Sequence, residues 1–146
     1  LSVILFISCS KNESNELENN TLIGTYVTKK QKGYRFAAES TLENPIILSE
    51  ITYNSEGLLT IQRNNSYEVK FLKSSSSFAN FSGTFFPKNN LFSVEKYYSS
   101  SEEAYLNLNN TYHFENNTLV LEIMADVIIK GQKGKLVVGK LFFDKQ

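Results

Sequence analysis

The scarce residue types set the first limits on this sequence. It has no Trp, one Cys, one His, one Met and two Pro in 146 residues, and its 15 basic residues balance 15 acidic ones. A single Cys excludes an internal disulfide. Zero net charge argues against nucleic-acid binding, which needs a basic surface to neutralise phosphates. Few Pro and only seven Gly also exclude a collagen-like chain.

Groups for acid–base catalysis are equally scarce. His113 is the only histidine, and it falls on the polar side of an alternating segment, so a nucleophile–histidine site is not predicted. Asp126 and Asp144 are the only aspartates, too few with one His and one Cys for a usual zinc or calcium site. No phosphate-binding loop or nucleophile elbow occurs. We therefore predict no enzyme, no metal and no cofactor.

The most specific pattern lies in the first twelve residues, LSVILFISCSKN. Leu1 to Ile7 is too short to span a bilayer, which takes about 20 residues, but it fits the end of a signal-peptide apolar region. Phe6-Ile7-Ser8-Cys9 resembles the lipobox of bacterial lipoproteins, with Phe6 where Leu is usual. The resemblance implies that 1–8 is a signal-peptide remnant and that Cys9 is lipidated. An ordinary buried thiol on a first strand is the alternative.

The segment after Cys9 is polar, and Leu17 is its one large apolar residue. Such a segment cannot bury enough surface to offset the entropy of ordering. We predict a flexible tether over 9–20 and a single domain over 21–146. A lipid anchor makes the membrane the expected partner, and the bacterial envelope, at the outer membrane, the expected location. The oligomeric state stays open.

The rest of the chain has the pattern of consecutive strands. Eight Tyr and 11 Phe favour pleated surfaces, and Ala104 to Phe114 and Thr118 to Ile129 alternate apolar and polar residues. Polar turns such as Asn54 to Gly57 separate eight or nine short strands. Gln31 to Pro45 is the one long connection, where FAAESTLEN favours a turn or two of helix. A connection of that length is often a lid.

A meander of short strands must protect its edges. Closing into an eight-stranded antiparallel up-and-down barrel does so completely and leaves room for one small ligand. A two-sheet β-sandwich fits the same alternation and is the alternative.

Leu22-Ile23-Gly24-Thr25-Tyr26 resembles the Gly-x-Trp signature of lipocalins, with Tyr26 in place of Trp. The final segments FENNTLVLEI and KLVVGKLFF are similar to the lipocalin-like domains of bacterial lipoproteins. The resemblance implies an all-β barrel with a cavity open at the lid end. It also implies a role in holding an apolar small molecule or a partner.

The aromatic residues supply the candidate binding site. Five are predicted to face inwards and contact a ligand, with plain core packing as the alternative: Tyr26, Tyr53, Phe71, Phe85 and Tyr112. The leading hypothesis is a membrane-anchored envelope lipoprotein whose barrel binds an apolar small molecule. The alternative is a non-enzymatic structural or interaction lipoprotein whose loops contact an envelope protein or glycan.

Overall fold

The described part of the chain forms a closed barrel of eight antiparallel strands. The computed structural model describes residues 22–74, 80–98 and 103–146. Each strand pairs with the next, and β1 also pairs with β8. The strands are β1 (Gly24–Phe36), β2 (Ile47–Ile61), β3 (Ser66–Ser74), β4 (Asn80–Phe86), β5 (Leu91–Tyr98), β6 (Glu103–Glu115), β7 (Thr118–Ile129) and β8 (Gln132–Lys145). This confirms the predicted eight-stranded up-and-down barrel and excludes the sandwich.

The apolar core lies at the end of the barrel where β1 begins, which we term the closed end. Alternate residues of each strand point inwards, and at this level the inward residues are large and aromatic. The Tyr67 ring packs edge-on against Phe85 at 4.9 Å between centroids and against Phe81 at 5.9 Å. Leu59 and Leu121, from strands on other sides of the barrel, are fully buried in the same cluster. The closed end is therefore filled by side chains.

The strands separate towards the opposite end, which we term the open end. Pairing between β1 and β8 stops at Gly33 and Gly139, and pairing between β6 and β7 stops at Thr111 and Glu122. The β7–β8 ladder nevertheless continues to its own turn at 130–131. Among the described residues, the far part of this hairpin therefore has no other strand on either side. A gap opens between β1 and β8 as a result.

One predicted turn is wrong. The segment Asn54 to Gly57 lies inside β2, which runs unbroken from Ile47 to Ile61. A Cβ atom on Gly57 would lie 2.8 Å from the Lys70 carbonyl oxygen and 2.9 Å from the Phe71 ring. Glycine is needed here for the close approach of β3 and not for a change of chain direction.

The predicted long connection is also shorter than expected. β1 passes through a bulge between Thr28 and Lys30 and continues to Phe36, so the connecting loop spans 37–46. Turns and bends, and not the expected helix, fill this described loop. The buried hydroxyl of Ser40 closes it, because it accepts from the Ile46 N–H at 3.0 Å and donates to the Ile46 carbonyl at 3.1 Å.

Candidate functional site

Three of the five predicted ligand contacts lie in the packed core. Tyr26, Phe85 and Tyr112 are 0%, 1% and 6% exposed. The Phe85 and Tyr112 rings meet edge-on at 5.1 Å, and the Tyr26 hydroxyl donates to the Leu22 carbonyl at 2.8 Å. These side chains contact other core residues, and together they form the floor of the barrel.

The other two predicted contacts, Tyr53 and Phe71, are half-buried and lie nearer the open end. Tyr53 lies opposite Gln31 in the β1–β2 ladder, and Phe71 packs against the core beside Gly57. The structure therefore brings the first three residues into one cluster, with Phe71 packed at its margin, and places Tyr53 nearer the open end. Cys9 lies outside the described residues.

The inner wall of the barrel becomes polar above this floor. Thr28 and Ser55 are buried there at 1% and 4% exposure, and the Gln31 side chain is fully buried. On the opposite side, buried Asn110 accepts a hydrogen bond at 2.7 Å from the Met124 N–H through its Oδ1. This amide bridges β6 and β7 just where their backbone ladder ends. Polar groups rather than an apolar lining therefore occupy this level.

An apolar groove of about 360 Å³ lies where β1 leaves β8. The β1–β2 hairpin contributes Tyr34, Phe36, Pro45 and Ile47 to it. From the other side, β7 and β8 contribute Met124, Leu136 and Val137. Leu136 is buried at its base, whereas Ile47 is half-exposed at its rim. The groove thus combines an apolar floor with access from solvent.

The 37–46 loop packs on the same hairpin. The side chain of Leu42 lies over Gly134, where a Cβ atom would come within 2.6 Å of it. Because Leu136 is two residues further along the same strand, Gly134 and Leu136 share a face. A small residue at 134 therefore lets the loop lie close to β8 beside the groove.

Charged side chains form a network along one edge of the groove. Glu122, which lines the groove, contacts the Nδ1 of His113 at 2.8 Å and accepts from the Thr111 hydroxyl at 3.3 Å. The Nε2 of His113 lies 3.1 Å from Glu115. The hydrogen bond from His113 lowers the pKa of the Glu115 carboxyl. Both ring nitrogens of His113 are thus occupied by carboxylates.

The network extends across β1. Lys32 forms an ion pair with Glu50 at 2.7 Å, and the hydrogen bond to Glu50 raises the pKa of Lys32. Lys30 and Lys32 both lie over the Phe142 ring, at 4.5 and 5.7 Å from its centroid. Burial raises the pKa of the Tyr34 hydroxyl in the groove wall. This part of the surface thus combines one close ion pair, Lys32–Glu50, with two lysine side chains over a single aromatic ring.

A larger depression, of about 680 Å³, lies at the closed end. It is lined by Asn116, Asn117, Asp144, Lys145 and Gln146, with Tyr26 and Phe114 as its aromatic members. Five of its seven lining residues are polar or charged, whereas most residues that line the groove are apolar, so its greater volume alone does not make it the better site for an apolar ligand.

The described residues offer little for other chemistry. No three His, Cys, Asp or Glu side chains within them are arranged to hold a metal ion. They also include no helix long and apolar enough to cross a membrane.

Sequence reasoning missed the groove because its walls come from the two ends of the domain. The only local hint is the presence of two glycines, Gly134 and Gly139, in the last strand. Comparison of this chain with protein-family models and with curated proteins finds no match.

Proposed function

We propose that this protein is a lipid-anchored lipoprotein of the bacterial envelope whose barrel binds an apolar small molecule in the groove between β1 and β8. The observation that carries the proposal is the groove itself. Its volume of about 360 Å³ falls in the range of small-molecule sites, roughly 300 to 1,000 Å³. Its lining is mostly apolar and it lies beside the 37–46 loop.

The binding energy available in such a groove is modest. Burying about eight methylene groups contributes roughly 6 kcal/mol, from which the cost of association and of ordering the ligand must be subtracted. We therefore expect dissociation constants of at least tens of micromolar, that is, roughly 40 μM or weaker.

The neutral fluorescent probe N-phenyl-naphthylamine tests the groove. We expect Val137→Trp to weaken its binding by about tenfold or more, because a bulky ring would fill the site. The matched control is Ile128→Trp on the same hairpin, since Ile128 is 69% exposed and does not line the groove. Fluorescence titration of the full chain measures both. Equal binding by the two variants would contradict the groove as the site.

The anchor is tested separately. When the source bacterium is grown with labelled palmitate, we expect the label in the wild-type protein and none in Cys9→Ala. Equal labelling of both proteins would refute lipidation at Cys9.

A second candidate function is contact with an envelope protein through the open end. Four apolar residues at the start of β2 and just before it are solvent-exposed: Ile46 by 42%, Ile47 by 52%, Leu48 by 70% and Ile51 by 38%. An exposed apolar cluster of this kind is typical of an interaction surface. A photo-crosslinking residue in place of Leu48 in the source bacterium tests this candidate. We expect one discrete crosslinked product if the open end contacts an envelope protein, and none if the protein only binds a small molecule.

A further inference from the structure

We infer that the groove selects amphipathic anions, that is, ligands with an apolar body and one anionic head group such as a carboxylate. This inference rests on the proposed binding function and specifies its ligand class. It is carried by the charges at the edge of the groove, which are Lys135, Lys140 and Glu122.

The single carboxylate of the groove is already engaged. One oxygen of Glu122 contacts the His113 ring at 2.8 Å and the other accepts from the Thr111 hydroxyl at 3.3 Å. His113 carries its own second carboxylate contact, to Glu115. Both carboxylate oxygens of Glu122 therefore contact side chains of β6 and do not point towards a ligand in the groove.

Lys135 and Lys140, unlike Glu122, have no close charged partner among the described residues. In the β7–β8 ladder Lys135 lies opposite Asp126 and Lys140 lies opposite Glu122. Neither ammonium forms an ion pair with any residue that the structure describes. The neighbouring Lys32 is already paired with Glu50 at 2.7 Å. Lys140 also attracts the Glu115 carboxylate at longer range. Two ammonium groups outside any close ion pair thus lie at the edge of an apolar groove, which suits a ligand with one anionic end.

The selectivity should be moderate because both lysines are reached by solvent. Exposed ion pairs contribute little individually, so we expect an anionic ligand to bind about tenfold more tightly than its neutral counterpart. Salt screens exposed charges, so the preference should shrink when ionic strength is raised.

The test compares decanoate with decanol, each displacing N-phenyl-naphthylamine from the full chain. We expect the roughly tenfold preference for decanoate to disappear in Lys135→Met/Lys140→Met. The matched control is Lys88→Met/Lys133→Met, which removes the same charge from exposed lysines outside the groove lining and should keep the preference. Methyl decanoate on the wild type removes the ligand charge without any substitution and should bind like decanol.

The outcomes separate this inference from the proposed function. Equal displacement by decanoate and decanol, or a preference that survives in the groove variant, would overturn the inference while decanol binding still supports the function. Binding of the probe with no displacement by either ligand would also overturn the inference alone. Failure of the probe and both ligands to bind would overturn the proposed function and the inference with it.

Discussion

Two tyrosines in the core show how single residues combine apolar packing with a satisfied polar end. The Tyr67 hydroxyl donates to the Ser93 carbonyl at 2.7 Å, and the Tyr26 hydroxyl donates to the Leu22 carbonyl at 2.8 Å. Burial raises the pKa of Tyr26 to about 12 and raises the pKa of Tyr67 further above its usual value. Each phenol is therefore held neutral in the folded protein at a pH where it ionises in the unfolded chain.

This gives a prediction for alkaline stability. A buried tyrosine whose pKa is raised contributes to the free energy of unfolding. For Tyr26 this contribution is fully present below the unfolded-state pKa of 10.0 and is lost as the pH rises towards the folded-state pKa of about 12. The free energy of unfolding should fall in that interval by about 1.4 kcal/mol per pH unit for each buried tyrosine. Urea unfolding across the interval measures the slope. Tyr26→Phe/Tyr67→Phe should flatten it, and a wild-type curve with no slope would contradict the prediction.

At the scale of the strands, alternation made most of the fold predictable. Tyr67, Val69 and Phe71 alternate with polar or exposed residues along β3, and they are buried or half-buried together. Glycines were harder to interpret from sequence, because a turn and a close approach of two strands require the same residue. Gly57 illustrates the second case, and only the position of β3 beside it reveals this.

Gly83 in β4 gives a sharper test of close approach. A Cβ atom there would overlap the Ser93 carbonyl oxygen and lie 2.8 Å from its carbon. We expect Gly83→Ala to lower the free energy of unfolding by about 3 kcal/mol, because backbone cannot move aside as a side chain can. The matched control is Gly33→Ala in β1, whose nearest neighbour would be the Tyr53 ring at 3.9 Å, and it should change stability by less than about 0.5 kcal/mol. Urea unfolding compares the two, and equal losses would contradict the argument.

At the scale of the whole molecule, the barrel has two halves of different construction. Near the closed end every strand has a partner on both sides around an aromatic core, whereas beyond Gly33 and Gly139 β1 and β8 part. The groove results from this separation. No local pattern predicts it, because its walls are set by where two strands more than 100 residues apart stop pairing. The five predicted ligand contacts depended instead on which aromatic side chains should point into the barrel. That direction does not distinguish a residue packed in the core from one that lines a binding site.

Amide hydrogen exchange should report the two halves directly. We expect slow exchange in the core residues Leu59 and Leu121, and fast exchange in the far part of the β7–β8 hairpin, whose outer edges have no strand partner among the described residues. Few neighbouring strands make local opening easier. Mass spectrometry of deuterated peptides measures this. Protection of residues 124–137 equal to that of the core would show instead that the hairpin has a further partner in solution.

The pairing of β1 with β8 also has a consequence for how the chain reaches this state. Tyr26 lies opposite Lys145, so the ring cannot close before β8 has been synthesised and, for an exported protein, delivered. Until then the earlier strands form an open sheet with two unpaired edges, which is the arrangement most exposed to aggregation. Contacts of such long range also make closure a slow step. β8 is therefore the strand that ends the vulnerable period of folding, and a chain that lacks it would keep both edges open.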